Sequence, residues 1–167
     1  MRYNYYTPSA DWGQRSGVYI FRPNEQVHNQ IPKYATPTRY SILFGKVVTQ
    51  IVVTWGENVF TRMSIFDDLS NIQIESLITD PSYYREAEIV MILETDIQNG
   101  DTFYTDSNGM EMQRRKLNYR ETWNWTPEEP ISSNYYPITS SMYIEDIVTG
   151  KRATYALIDF SPSNLSF

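Results

Sequence analysis

Cysteine is absent from the 167 residues, which excludes disulfides, thiolate nucleophiles and cysteine metal sites. Histidine is nearly absent: His28 stands alone, in a polar stretch flanked by proline. A zinc site usually takes three or four His, Cys or carboxylate ligands, so one histidine without cysteine argues against one. Ser-His-Asp chemistry would have only that imidazole, and no Gly-x-Ser-x-Gly elbow accompanies it. The few glycines form no phosphate-cradling loop. Basic residues are outnumbered, with 14 Lys and Arg against 20 Asp and Glu and a net charge of −6. Arg114-Arg115-Lys116 is their one tight cluster, so the basic face that phosphate neutralisation requires is missing and nucleic acid is not an expected partner. No apolar run is long enough to cross a bilayer as a helix, and no membrane partner is expected. Met1-Arg2-Tyr3-Asn4-Tyr5-Tyr6 contains no apolar h-region, so no signal peptide is expected in this chain.

What the sequence does have is aromatic and alternating. Hydrophobic residues make up 41% and charged residues 20%, a globular composition. The 14 tyrosines, seven phenylalanines and four tryptophans suit half-buried pleated surfaces. In Ile89-Val90-Met91-Ile92-Leu93-Glu94-Thr95-Asp96-Ile97, positions 89, 91, 93 and 97 form an apolar face while Glu94 and Asp96 point away. Ile72, Ile74 and Ile78 alternate with Gln73, Glu75 and Thr79. Ile51, Val53 and Trp55 are followed, after Gly56-Glu57-Asn58, by an alternating run over residues 59–66. Further strands are expected at residues 17–21, 142–144 and 153–158. Turn signals at Asn99-Gly100-Asp101, Ser107-Asn108-Gly109 and Thr149-Gly150 separate short strands, and no window carries helical periodicity. The expected fold is an all-β antiparallel β-sandwich, a single domain over residues 1–167. Its longest loop is expected over residues 118–137.

Acidic pairs are the remaining route to catalysis, because glycoside hydrolysis uses two carboxyls. Asp67-Asp68, Glu128-Glu129 and Glu145-Asp146 are adjacent in sequence. Adjacent residues of a strand point to opposite faces, so adjacency is poor evidence for a dyad. Asn124-Trp125-Thr126 and Asn164-Leu165-Ser166 match the N-glycosylation triplet, making Asn124 and Asn164 candidate acceptors.

Four stretches carry a resemblance. Ser16-Gly17-Val18-Tyr19-Ile20-Phe21-Arg22-Pro23-Asn24 follows the aromatic strand at residues 3–6. Phe103-Tyr104-Thr105-Asp106-Ser107-Asn108-Gly109 precedes Arg114-Arg115. Asn134-Tyr135-Tyr136-Pro137 precedes Tyr143-Ile144-Glu145-Asp146. Between the last two lies Asn118-Tyr119-Arg120-Glu121-Thr122-Trp123, with Glu129-Pro130 after it. In order and spacing these resemble class II α-mannosidases, glycoside hydrolase family thirty-eight. The 118–130 stretch is similar to an insertion of the lysosomal-type branch.

The resemblance implies a middle portion of the family's C-terminal β-rich region, a segment of a galactose-mutarotase-like super-sandwich. It implies that the zinc ion and the aspartate nucleophile belong to a catalytic domain that this chain lacks. The chain would then shape the cleft of an enzyme performing retaining hydrolysis of α-mannosides, and would be inactive alone. Its implied partners are that catalytic domain and, through the complete enzyme, α-mannoside glycans. Its implied location is the lysosome or secretory pathway. Tyr19, the tyrosine of the Ser-Gly-x-Tyr motif, would contact substrate in the complete enzyme. After Asp146 the family's strand is recognisable as far as Asp159, but Pro162-Ser163-Asn164 stands where a glycine-bearing loop is expected. A free-standing carbohydrate-binding or interaction module is the alternative. Unpaired strand edges would favour self-association of the isolated chain.

Overall fold

A computed structural model describes residues 1–9, 20–24, 37–79, 88–129 and 131–157. They fall into two compact units, Met1–Glu94 and Thr95–Phe167. Among the described residues the fold is all-β: ten strands form antiparallel pairs throughout, and helical structure is limited to one 3-10 turn at Ser132–Asn134.

In the first unit, β2 (Arg39–Phe44), β3 (Val48–Trp55), β4 (Val59–Phe66) and β5 (Ile72–Ile78) form a meander in the order β2-β3-β4-β5. The β3–β4 hairpin turns at residues 56–58, where Gly56 adopts φ 65°, a left-handed conformation costly for residues with a Cβ. Strand register then sets which side chains share a face. Val53 stands opposite Thr61, which stands opposite Ser76; Trp55, Val59 and Ile78 form the neighbouring row. A smaller layer, β1 (Arg2–Tyr6) paired with β6 (Glu88–Ile92), packs onto this face. Tyr3, Val53, Trp55 and Val59 form the buried core, with Met1, Ile51, Met63, Ile89 and Met91 against it. Two sheets thus face each other across an apolar layer, as in a sandwich.

A polar network runs through that core. The Tyr3 hydroxyl lies 2.9 Å from the Thr61 hydroxyl and also hydrogen-bonds the Ser76 hydroxyl, while Trp55 Nε1 donates to Thr61 Oγ1 at 3.1 Å. The Tyr3 and Trp55 rings meet edge to face at 5.5 Å. Thr61 is almost fully buried, so its hydroxyl depends on these partners.

In the second unit, β7 (Thr102–Ser107), β8 (Glu111–Lys116), β9 (Ser141–Glu145) and β10 (Arg152–Ala156) form a sheet in the order β10-β9-β7-β8. The β7–β8 hairpin closes through Met110 N–H donating to Ser107 O at 2.9 Å. Asn108 and Gly109 both sit at positive φ, as a type I′ turn demands and as Asn-Gly permits.

Several expectations need adjustment. The alternation over residues 89–97 is a strand only as far as Ile92. Beyond it, Ile97 N–H donates to Thr95 Oγ1 and Gln98 N–H to Asp146 Oδ2, so side chains take the place of a ladder. Ile72 and Ile78 lie on the core face as the alternation implies, yet both remain exposed. Strand β2 escaped notice although Tyr40, Ile42 and Phe44 alternate with Arg39 and Ser41. Residues 17–19 of the expected first-motif strand lie outside the described residues.

Tyr3→Phe removes only a hydroxyl and should leave the fold intact. It should cost about 1–2 kcal/mol, because Thr61 and Ser76 each lose a buried partner. Urea denaturation followed by tryptophan fluorescence checks this, and an unchanged midpoint would show the network to be energetically silent.

Candidate functional site

Of the side chains singled out in the sequence, Tyr19, His28 and Asn164 lie outside the described residues. Asn124 is exposed in the irregular segment between β8 and β9. The acid pairs do not form a dyad. Asp67 and Asp68 are exposed at the β4–β5 turn. Glu129 accepts from the Ser132 hydroxyl at 2.8 Å. Glu145 pairs with Arg152, and Asp146 folds back on its own turn, its Oδ1 accepting from Val148 and Thr149 N–H at 3.0 and 2.8 Å. Among the described residues, no group of three His, Asp or Glu could hold a metal ion.

Among the described residues, Asp106 is the one buried carboxylate, and composition gave no hint of it. Its Oδ1 accepts from Thr139 N–H at 2.8 Å and Ser141 N–H at 3.4 Å. Its Oδ2 accepts from Gly109 N–H at 2.9 Å, Ser140 N–H at 3.1 Å and the Ser140 hydroxyl at 3.3 Å. Burial pushes its pKa up, but the backbone donors of Thr139, Ser140, Gly109 and Ser141 outweigh this and hold it below the ordinary 3.8. With every lone pair engaged, the group cannot serve as a proton acceptor or nucleophile. It pins the chain entering β9 to the β7–β8 turn. The available signal was Asp two residues before Asn-Gly, a spacing from which an Asx side chain reaches turn amides.

A second clamp ties residues 118–125 to residues 133–136. The Arg120 guanidinium lies 4.1 Å from the Trp125 ring and 5.2 Å from the Tyr136 ring. It donates to Ser133 O at 2.6 Å and to the Tyr136 hydroxyl. Asn134 Nδ2 donates to Asn118 Oδ1 and Asn118 N–H to Asn134 Oδ1, at 2.8 and 2.9 Å. The Tyr136 ring also meets Phe103 at 5.3 Å and carries Arg115 at 4.9 Å. Tyr119, Trp123 and Tyr135 stay exposed on this segment. Arginine sandwiched between aromatics and carbonyls is a structural use of that side chain.

Among the described residues, several exposed apolar side chains gather on the β2–β5 sheet, beyond the part covered by β1 and β6. Phe44, Thr49, Ile65 and Ile72 form one cross-strand row, and Ile42 heads the next. Phe44 is 84% exposed, Tyr40 69% and Ile72 56%. A patch of this kind marks an interaction surface more often than a free one.

A family model described as "Glycosyl hydrolases family 38 C-terminal domain" matches residues 1–153. The chain is 36% identical to the lysosomal alpha-mannosidase of Dictyostelium discoideum over 149 residues, covering 86% of this chain and 15% of that protein. It is 30% identical to the lysosomal alpha-mannosidase of Homo sapiens, over 80% of this chain and 13% of that protein. With the alpha-mannosidase of Canavalia ensiformis the identity is 28%, over 80% and 14%. The chain therefore spans about 15% of the length of such relatives.

The carboxylates lend the fold an acid sensitivity. Backbone donors from Thr149, Gln98 and Val148 hold Asp146 at about 2, and Asp106 is lowered as well. A depressed folded pKa gives stability that is complete above the unfolded value near 3.8 and lost as pH falls through the folded value. Asp106→Asn should lower the melting temperature at neutral pH, since its amide sets a donor against backbone N–H groups. It should also flatten the loss of melting temperature below pH 4. A wild-type slope retained in Asp106→Asn would mean that the clamp contributes nothing to acid sensitivity.

Proposed function

Because the chain belongs to the glycosyl hydrolase family 38 C-terminal domain family, we propose that it is the structural, cleft-shaping β-rich part of a lysosomal-type α-mannosidase. The two units then form parts of one β-rich region, in keeping with a single family model spanning residues 1–153. The zinc ion and the nucleophilic aspartate of α-mannoside hydrolysis reside in polypeptide outside this chain, and the assembled enzyme works in the lysosome. The observation that carries this is the exposed row at Phe44, Ile65 and Ile72. A row of phenylalanine and isoleucine in which Thr49 brings the one hydroxyl suits burial against protein. Sugars demand polar partners as well as an aromatic face.

The test uses the Dictyostelium discoideum enzyme with its matching stretch replaced by this chain. The free chain should show no turnover of aryl α-mannosides, with or without zinc, whereas the chimera should be active. Zinc-dependent turnover by the repurified free chain, or a folded but inactive chimera, would overturn the proposal. A free-standing carbohydrate-binding module is the second reading, favoured by the exposure of Tyr119, Trp123 and Tyr135. Binding of α-mannosides by the free chain, lost in Trp123→Ala, would select it.

Tyr19 is proposed to contact substrate in the assembled enzyme. Tyr19→Phe in the chimera should lower kcat/KM by an amount equivalent to about 1–3 kcal/mol, the range for a hydrogen bond at a reacting site. Unchanged kinetics would reduce it to a packing residue.

A further inference from the structure

The face of the β2–β5 sheet that bears the core is only half used. Its upper rows, Trp55-Val59 and Val53-Thr61, are buried beneath Tyr3. Its lowest row, Phe44-Thr49-Ile65-Ile72, crosses all four strands, about 15 Å at ordinary strand spacing. Along β2 the exposure continues through Ile42 and Tyr40. The turns at that end add Val47 and Leu69, both exposed, and Asp67 N–H donates to Val47 O at 3.2 Å, which ties one turn to the other. Lys46, Asp67 and Asp68 are exposed beside them, giving the apolar centre a charged rim.

Strand β2 has a second property. It is exposed on both faces and lies at the sheet's edge, and no strand pairs with its outer side among the described residues. Soluble sheets guard such edges with Lys, Pro or a bulge. Arg39, at the start of β2 and on the opposite face from Tyr40, Ile42 and Phe44, is its one charge.

We propose that the Phe44-Ile65-Ile72 row and the β2 edge form the docking surface for an apolar surface of the mannosidase polypeptide that lies outside this chain. This rests on the structural role proposed above and names the surface that fulfils it. The occupant follows from length: relatives in which this stretch is about 15% of the protein carry abundant chain to cover the face. A second copy would compete for the same residues only where that chain is missing.

The test compares one substitution in two settings, the free chain and the chimera with the Dictyostelium discoideum enzyme. Phe44→Asp and Ile72→Asp alter exposed side chains, so the melting temperature of the free chain should hardly change. In the chimera each should weaken packing of the stretch by roughly tenfold or more, because a carboxylate would be buried unpaired. This reads out as a lower melting temperature and faster protease nicking. Val148→Asp, at an exposed β9–β10 turn position, is the control and should be neutral in both. Amides of residues 40–44 should also exchange more slowly in the chimera than in the free chain. Three outcomes overturn the docking surface while leaving the structural role standing: variants neutral in an active chimera, equal destabilisation in both settings, or a free-chain dimer dissolved by Phe44→Asp with no effect in the chimera. An unsubstituted chimera that folds without activity sinks the structural role instead.

Discussion

A buried tyrosine hydroxyl between two sheets governs the first unit. Tyr3 reaches from β1 onto the β2–β5 sheet, and its oxygen meets Thr61 and Ser76 on adjacent strands. A ring of this kind removes on the order of 150–250 Å² from water, but apolar burial tolerates sliding. Hydrogen bonds do not. Because Thr61 also serves Trp55 Nε1, a shift of β1 by one residue would strand buried polar groups, each costing about 1–3 kcal/mol. The network therefore fixes register and layer offset together.

The second unit uses charge for the same purpose. Asp106 and Asp146 each collect backbone N–H groups from segments that carry no ladder partner of their own. Arg120 does the reverse, donating to carbonyl oxygen and covering aromatic faces. Such clamps tie Asn118 to Asn134 and Arg120 to Ser133 and Tyr136 outside any strand. They also engage Asp106, Asp146 and Arg120 in holding structure.

The division of labour within the β2–β5 sheet bears on the whole protein. One half of its core face is closed by β1 and β6 and the other half is left to solvent. A sheet built to stand alone would be expected to carry polar residues on the open half. Isoleucine and phenylalanine there are what the proposed docking surface requires.

Much of this was legible in the residues. Period-two alternation with Asn-Gly and Gly-Glu-Asn turns determined an all-β antiparallel chain, because a pleated strand has two faces and only one was apolar. The α-mannosidase family was legible from four ordered motifs, since several runs in register seldom coincide by chance. Lacking cysteine and all but one histidine, the sequence also argued against cysteine chemistry and a zinc site. Tertiary structure decided the rest. Only it could join Asp106 to Thr139 and Ser140, and Arg120 to Ser133 and Tyr136, because these partners lie more than ten residues away in sequence. It alone could separate Val59, fully buried, from Ile72, which shares its face and is left open. Alternation specifies which face a residue joins, but what covers that face depends on distant strands.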